Sequence, residues 1–158
     1  MSKHRIESVP CMEDLMPLIR ETIAAGRSVR FSPSGTSMLP MLRQGRDSVE
    51  LSPISGALEK FDLPLYRRDD GKYVLHRVVA VSETYSCMGD NQFAAEFGIR
   101  QDQLIARVTA FYRGEKRIEA TAFGYKFYCR FWHYSRPLRH FLHRCARKCR
   151  RIFRKSTK

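Results

Sequence analysis

Three short islands in this chain carry residue types that can do chemistry together. The first is Gly35-Thr36-Ser37-Met38-Leu39-Pro40-Met41-Leu42, closed by Gly45. The second is Tyr73-Val74-Leu75-His76-Arg77-Val78-Val79, and the third is Met88-Gly89-Asp90-Asn91. A serine in a Gly- and Pro-punctuated turn with an apolar body can be held with its hydroxyl exposed, but a hydroxyl is a weak nucleophile and needs an adjacent base. Histidine is the side chain whose unperturbed pKa suits base chemistry near neutrality, and His76 stands among apolar residues. Asp90, in a Gly-Asp-Asn turn, is of the type that holds an imidazole in one tautomer. The chemistry implied is acyl transfer through Ser37, with His76 as base and Asp90 as orienting acid.

The elements that must position these residues read as mostly β. Residues 11–25 show apolar positions at helical spacing, and Gly26 is a natural stop. Residues 28–34 alternate like a strand. Further strands are expected at Asp47–Leu51, Leu63–Arg67, Lys72–Ser82, Tyr85–Met88 and Leu104–Arg113. Asp70-Gly71 marks a hairpin between the second and third of these, because both residues tolerate positive φ. Gly114 to Arg117 reads as a turn. Many short strands with turns between them imply a small barrel or folded sheet. From about Thr121 to Phe153 the period changes to three or four, which predicts a long amphipathic helix or two helices broken near Pro137.

The order of the three islands resembles the type I signal peptidase superfamily. That family carries a Gly-x-Ser-Met-x-Pro-x-Leu-x-x-Gly-Asp box, a strand ending in Lys-Arg-Val or His-Arg-Val, and a Gly-Asp-Asn box. The matching residues here run from Gly35 to Gly45, then His76-Arg77-Val78, then Gly89-Asp90-Asn91. The resemblance covers roughly residues 28–113. His76 in place of Lys is similar to the endoplasmic-reticulum, archaeal and sporulation-type branch, which implies a Ser–His dyad. It also implies Ser37 as nucleophile, His76 as general base and Asp90 as orienting acid. Glu96, six residues after Asp90, is the alternative orienting acid. The oxyanion would rest on the backbone N–H of Ser37, because Gly35 offers no side-chain donor. The usual Gly-Asp is here Gly45-Arg46-Asp47, one residue longer.

The expected fold class is therefore mainly β. It is a signal peptidase/LexA-like folded β-sheet domain with an N-terminal helix and a C-terminal amphipathic helical tail. The segments are 1–27 (helical), 28–120 (catalytic β domain) and 121–158 (basic tail). The expected function is a serine endopeptidase, a hydrolase that cleaves a peptide or precursor protein without metal or organic cofactor. The alternatives are a catalytically inactive peptidase-fold module that binds membrane or nucleic acid, and a LexA-like autopeptidase relative. A Lys base and a preceding helix-turn-helix would favour the last, and neither is seen.

Charge places the partners. The chain has 29 basic and 16 acidic residues, and the stretch from Tyr125 to Lys158 holds 12 basic and no acidic ones. The remainder thus holds 29 − 12 = 17 basic against 16 acidic, so the excess belongs to the tail. Aromatic residues interleave with Arg and Lys there, with Trp132 and Phe141 expected on the apolar face. This is the pattern of a helix lying in an anionic membrane interface, and nucleic acid is the less favoured partner. Residues 1–10 show no apolar signal region, and no window approaches the length of a spanning helix. Five cysteines without framework spacing read as reduced thiols. The expected location is cytoplasmic, peripheral on the inner face of the membrane.

Overall fold

The structure, a computed structural model, describes residues 12–155, and the side chains of those up to residue 146. Residues 1–10 and Cys11 lie outside the described residues. Helix α1 spans Met12–Ala24 and ends at Gly26, whose φ of 73° is the left-handed value that a helix stop requires. Its buried face is Met16 and Ile19, and Pro17 lies inside the helix.

Nine strands follow among the described residues: β1 (Val29–Phe31), β2 (Asp47–Ser52), β3 (Pro64–Arg67), β4 (Tyr73–Leu75), β5 (Arg77–Val81), β6 (Tyr85–Met88), β7 (Glu96–Ile99), β8 (Leu104–Arg113) and β9 (Lys116–Glu119). They form two antiparallel sheets. The larger has the order β1-β2-β8-β3-β4, with β9 pairing β8, and the smaller has the order β5-β6-β7. The chain is thus mainly β. Strand β8 is the spine, since it pairs with β2, β3 and β9. The Asp70-Gly71 hairpin joins β3 to β4 in the register Tyr66↔Val74 and Leu65↔Leu75.

Two expectations differ from the structure. The run Lys72–Ser82 is not one strand. It breaks at His76, where β4 leaves the larger sheet and β5 enters the smaller. Residues Lys116 and Arg117 continue into β9 rather than only turning, with Gly114 at φ 61° in the turn itself. Strand β7 carries no clear alternation in sequence, and it forms because β6 offers it an edge.

The tail forms two helices, α2 (Phe123–Tyr134) and α3 (Arg136–Lys155), broken at Ser135. The first belongs to the body of the protein. Tyr125 and Cys129 are buried in the main core with Met16, Phe31, Val49, Leu51 and Phe111, and the Tyr125 ring lies 4.5 Å from that of Phe111. Met38, Met41 and Leu42, from the turn that carries Ser37, belong to the same core. Each such side chain contributes roughly 1.5–3 kcal/mol of burial, which anchors the turn from beneath. A second cluster, around Leu58, Tyr66, Val78, Tyr85, Cys87 and Ile99, lies under the smaller sheet.

Candidate active site

Ser37 lies in the turn after β1, and His76 in the single-residue break between β4 and β5. These segments are distant in sequence but line one cavity of about 250 Å³. Pro33, Ser34 and Gly35 line it from the β1 side, and Tyr73, Val74 and Leu75 from β4. Strands β1 and β4 are both edge strands of the larger sheet, and the cavity lies between the segment that follows β1 and the residues of β4.

The Ser37 turn is built by short-range bonds. Leu39 N–H donates to Thr36 O (3.2 Å) and Leu42 N–H to Met38 O (3.0 Å); Ser37 N–H is not among the donors that hold this turn. Gly35 has φ 90°, a left-handed value, and its N–H donates to Gln44 Oε1 at 2.9 Å. The lengthened Gly45-Arg46-Asp47 end still delivers a carboxylate to the turn. Asp47 is buried, accepts from Arg43 N–H at 2.9 Å, and pairs with Arg46 at 2.6 Å. Burial opposes ionisation of Asp47, but the Arg46 and Arg43 bonds outweigh it and hold its pKa below the ordinary value.

His76 is buried, and its Nδ1 lies 2.9 Å from Glu96 Oε1. Tyr66 Oη stands 3.4 Å from the same nitrogen and donates to Glu96 Oε2 at 2.9 Å. Arg68 grips both carboxylate oxygens, with Nε 2.7 Å from Oε2. Burial pushes the Glu96 pKa up, but the Arg68 and Tyr66 bonds prevail and hold it below the ordinary carboxylate value. Burial pushes the His76 pKa down. Glu96 pulls it up and Arg68 pushes it down again, and the net result lies below the ordinary 6.5. This shift favours the neutral imidazole, whose Nδ1 is turned to Glu96.

Asp90, expected at His76, has its carboxylate bonded to Arg77, while Glu96 stands at His76 Nδ1. Asp90 Oδ1 and Oδ2 each accept a bond of 2.8 Å from Arg77, in a fully buried pair. Tyr128 Oη also donates to Asp90 Oδ2 at 3.0 Å. Alternation along the chain separates the two acids. His76 and Arg77 are adjacent on an extended chain, so their side chains project to opposite sides. Asp90 lies on the Arg77 side, and Glu96, at the start of β7, lies on the His76 side. Burial disfavours the Arg77 charge, but Tyr125 and Asp90 more than offset this and keep it charged.

The Gly89-Asp90-Asn91 box has a second task. Asn91 N–H donates to Ser37 O at 2.8 Å, and Asn91 Nδ2 donates to Thr36 O at 3.2 Å. A Cβ on Gly89 would stand 2.6 Å from Ser37 O, so only glycine allows this approach. Sequence reasoning missed Tyr66 and Arg68. The signal for Tyr66 was in the hairpin: Tyr66 pairs with Val74, and His76 falls on the same face two residues on.

Among the described residues, no group of three or more His, Cys, Asp or Glu side chains is placed to hold a metal ion. No protein-family model matches the chain, and no curated protein matches it.

Proposed function

We propose that the protein is a serine endopeptidase of the signal peptidase type, with Ser37 as nucleophile and His76 as general base. The observation that carries this reading is the shared cavity of Ser37 and a buried His76 whose Nδ1 faces Glu96. A peptide would lie extended along the free edges of β1 and β4, taking main-chain hydrogen bonds from them. Ser37 Oγ attacks the scissile carbonyl as His76 Nε2 takes its proton, and the oxyanion forms against Ser37 N–H. The proton then passes to the departing amine as the C–N bond breaks. Water, deprotonated by His76, attacks the acyl ester and returns Ser37 free. Glu96, rather than Asp90, stabilises the imidazolium.

The tail supports a peripheral position on an anionic cytoplasmic leaflet. No helix among the described residues is long and apolar enough to cross a membrane. Phe123, Phe127, Phe131, Tyr134, Leu138 and Phe141 are exposed at intervals of three or four along α2 and α3. Such a face beside Arg and Lys is suited to a lipid interface. Trp132 does not belong to it, since its Nε1–H donates to Asp90 O at 2.7 Å.

The deciding experiment is cleavage of a complex peptide library, read by mass spectrometry. Wild type should cut a defined set, and Ser37→Ala and His76→Ala should each lose it. The double variant should be scarcely worse than either single, because the two act as one unit. An active Ser37→Ala protein ends the proposal. An inert wild type that still binds vesicles would instead mark an inactive binding module. Cleavage confined to its own chain would mark an autopeptidase.

A further inference from the structure

The segment 89–96 touches both members of the dyad. At one end Asn91 N–H holds the Ser37 carbonyl, and at the other Glu96 holds His76 Nδ1. The same segment is gripped from behind by the C-terminal helices. From α2, Tyr128 Oη donates to Asp90 Oδ2 and Trp132 Nε1–H donates to Asp90 O. From α3, His140 and His143 pack on Phe93, with ring centroids 4.8 Å and 5.5 Å away. The helices are also tied to each other: the Arg139 guanidinium lies 3.7 Å over the Trp132 ring and donates to Trp132 O at 2.6 Å.

We propose that Tyr128 and Trp132 are positioning residues, through which the C-terminal helices hold segment 89–96 and thereby set Ser37 against His76. This rests on the Ser37–His76 reading above. The physical basis is that the Asn91 bond leaves from the connection between β6 and β7, and Glu96 is the first residue of the strand that this connection enters. A connection has little order of its own unless packing supplies it. Asp90 is the natural point of purchase: its carboxylate is fixed by Arg77, and its carbonyl and carboxylate are reached by α2. A misplacement of about 1 Å at a reacting group can cost on the order of 10² in rate, so modest support carries a large kinetic effect.

The test uses the full chain with Tyr128→Phe, which keeps the ring and removes the hydroxyl donor, and Trp132→Phe, which keeps an aromatic side chain and removes the indole donor. Lys126→Ala, an exposed change on the same helix, is the control. Amide hydrogen exchange by NMR reads the Asn91 N–H directly. Loss of one supporting bond should speed Asn91 exchange by about 5-fold or more in each variant, with β8 amides unchanged. In the peptide-library assay, kcat should fall while KM and the pH midpoint stay. Asn91 exchange equal to wild type in both Trp132→Phe and Tyr128→Phe overturns the proposal. So does an equal rise in Lys126→Ala, since the helix would then act only as a cover. The exchange readout needs no catalysis, so an active Ser37→Ala would sink the peptidase reading and leave the coupling to be judged by Asn91 alone.

Discussion

Glu96 Oε1 stands 2.9 Å from His76 Nδ1, while both oxygens of Glu96 are held by Arg68 and one by Tyr66. The carboxylate is thus fixed before it meets the imidazole. An acid pinned in this way orients the ring and stabilises its protonated form without moving itself.

Glu96→Gln should keep the fold and lower kcat by roughly 10³–10⁴, because the amide supports the wrong tautomer. Removing the anion also removes the pull that raises the His76 pKa, and Arg68 then pushes it further down. The midpoint of the pH–rate profile should therefore move to more acid pH. A midpoint that stays in place, measured on peptide cleavage, would show that Glu96 does not face the working base.

Activity should rise with pH along one imidazole ionisation whose midpoint lies below 6.5, since burial holds the folded-state pKa of His76 under its ordinary value. Stability follows the same sign. Below pH 6.5 the unfolded chain takes up a proton that the native His76 resists, so stability falls with pH until the folded-state value is passed. Glu96, also lowered, adds a second loss that begins below 4.5. Urea unfolding midpoints across this range would read both, and His76→Gln should flatten the first segment.

Gly89→Ala should impair catalysis more than stability. The added Cβ would meet Ser37 O at 2.6 Å, which is backbone and cannot swing aside. The turn that carries Ser37 must shift, and a loss of about 10² in kcat is expected from a displacement near 1 Å. Full activity in this variant would refute the close approach.

Arg77→Ala should destabilise the protein by about 3–5 kcal/mol, because it takes the guanidinium partner from a buried Asp90 carboxylate. Thermal unfolding would show it. The same logic alters how the tail is best removed. Cutting at Tyr125 takes Tyr125 and Cys129 from the core, whereas ending the chain near Pro137 leaves α2 docked.

Vesicle binding should divide into an apolar and a charged part. Leu138→Ser with Phe141→Ser should weaken binding to anionic vesicles even at low salt, without lowering Tm, since both side chains are exposed. Each Arg or Lys near the surface supplies about 1 kcal/mol, which salt screens. Co-sedimentation at low and high salt measures both parts. Tight binding to RNA or DNA at physiological salt, with no binding to anionic vesicles, would reassign the tail.

The sequence by itself determined most of the strands, the β3–β4 hairpin, the N-terminal helix and the helical character of the tail. Each is set by local means: alternation of apolar residues, turn residues that accept positive φ, and a change of period after residue 121. It also marked Ser37 and His76 as candidates, through the order of the three islands and the family resemblance that this order carries. What it did not decide was which acid meets His76. Asp90 and Glu96 stand on either side of one strand connection, and spacing treats them alike. The choice follows from the alternation of His76 and Arg77 across the chain, and from β7 pairing with β6 to bring Glu96 to the imidazole. The tail was undecided for the same reason. Periodicity marks an apolar stripe, but only the packed body shows that Tyr125, Cys129 and Trp132 turn inward while Phe127 and Phe131 stay in solvent. A helix has one period and several faces, and which face is covered depends on the surface it meets.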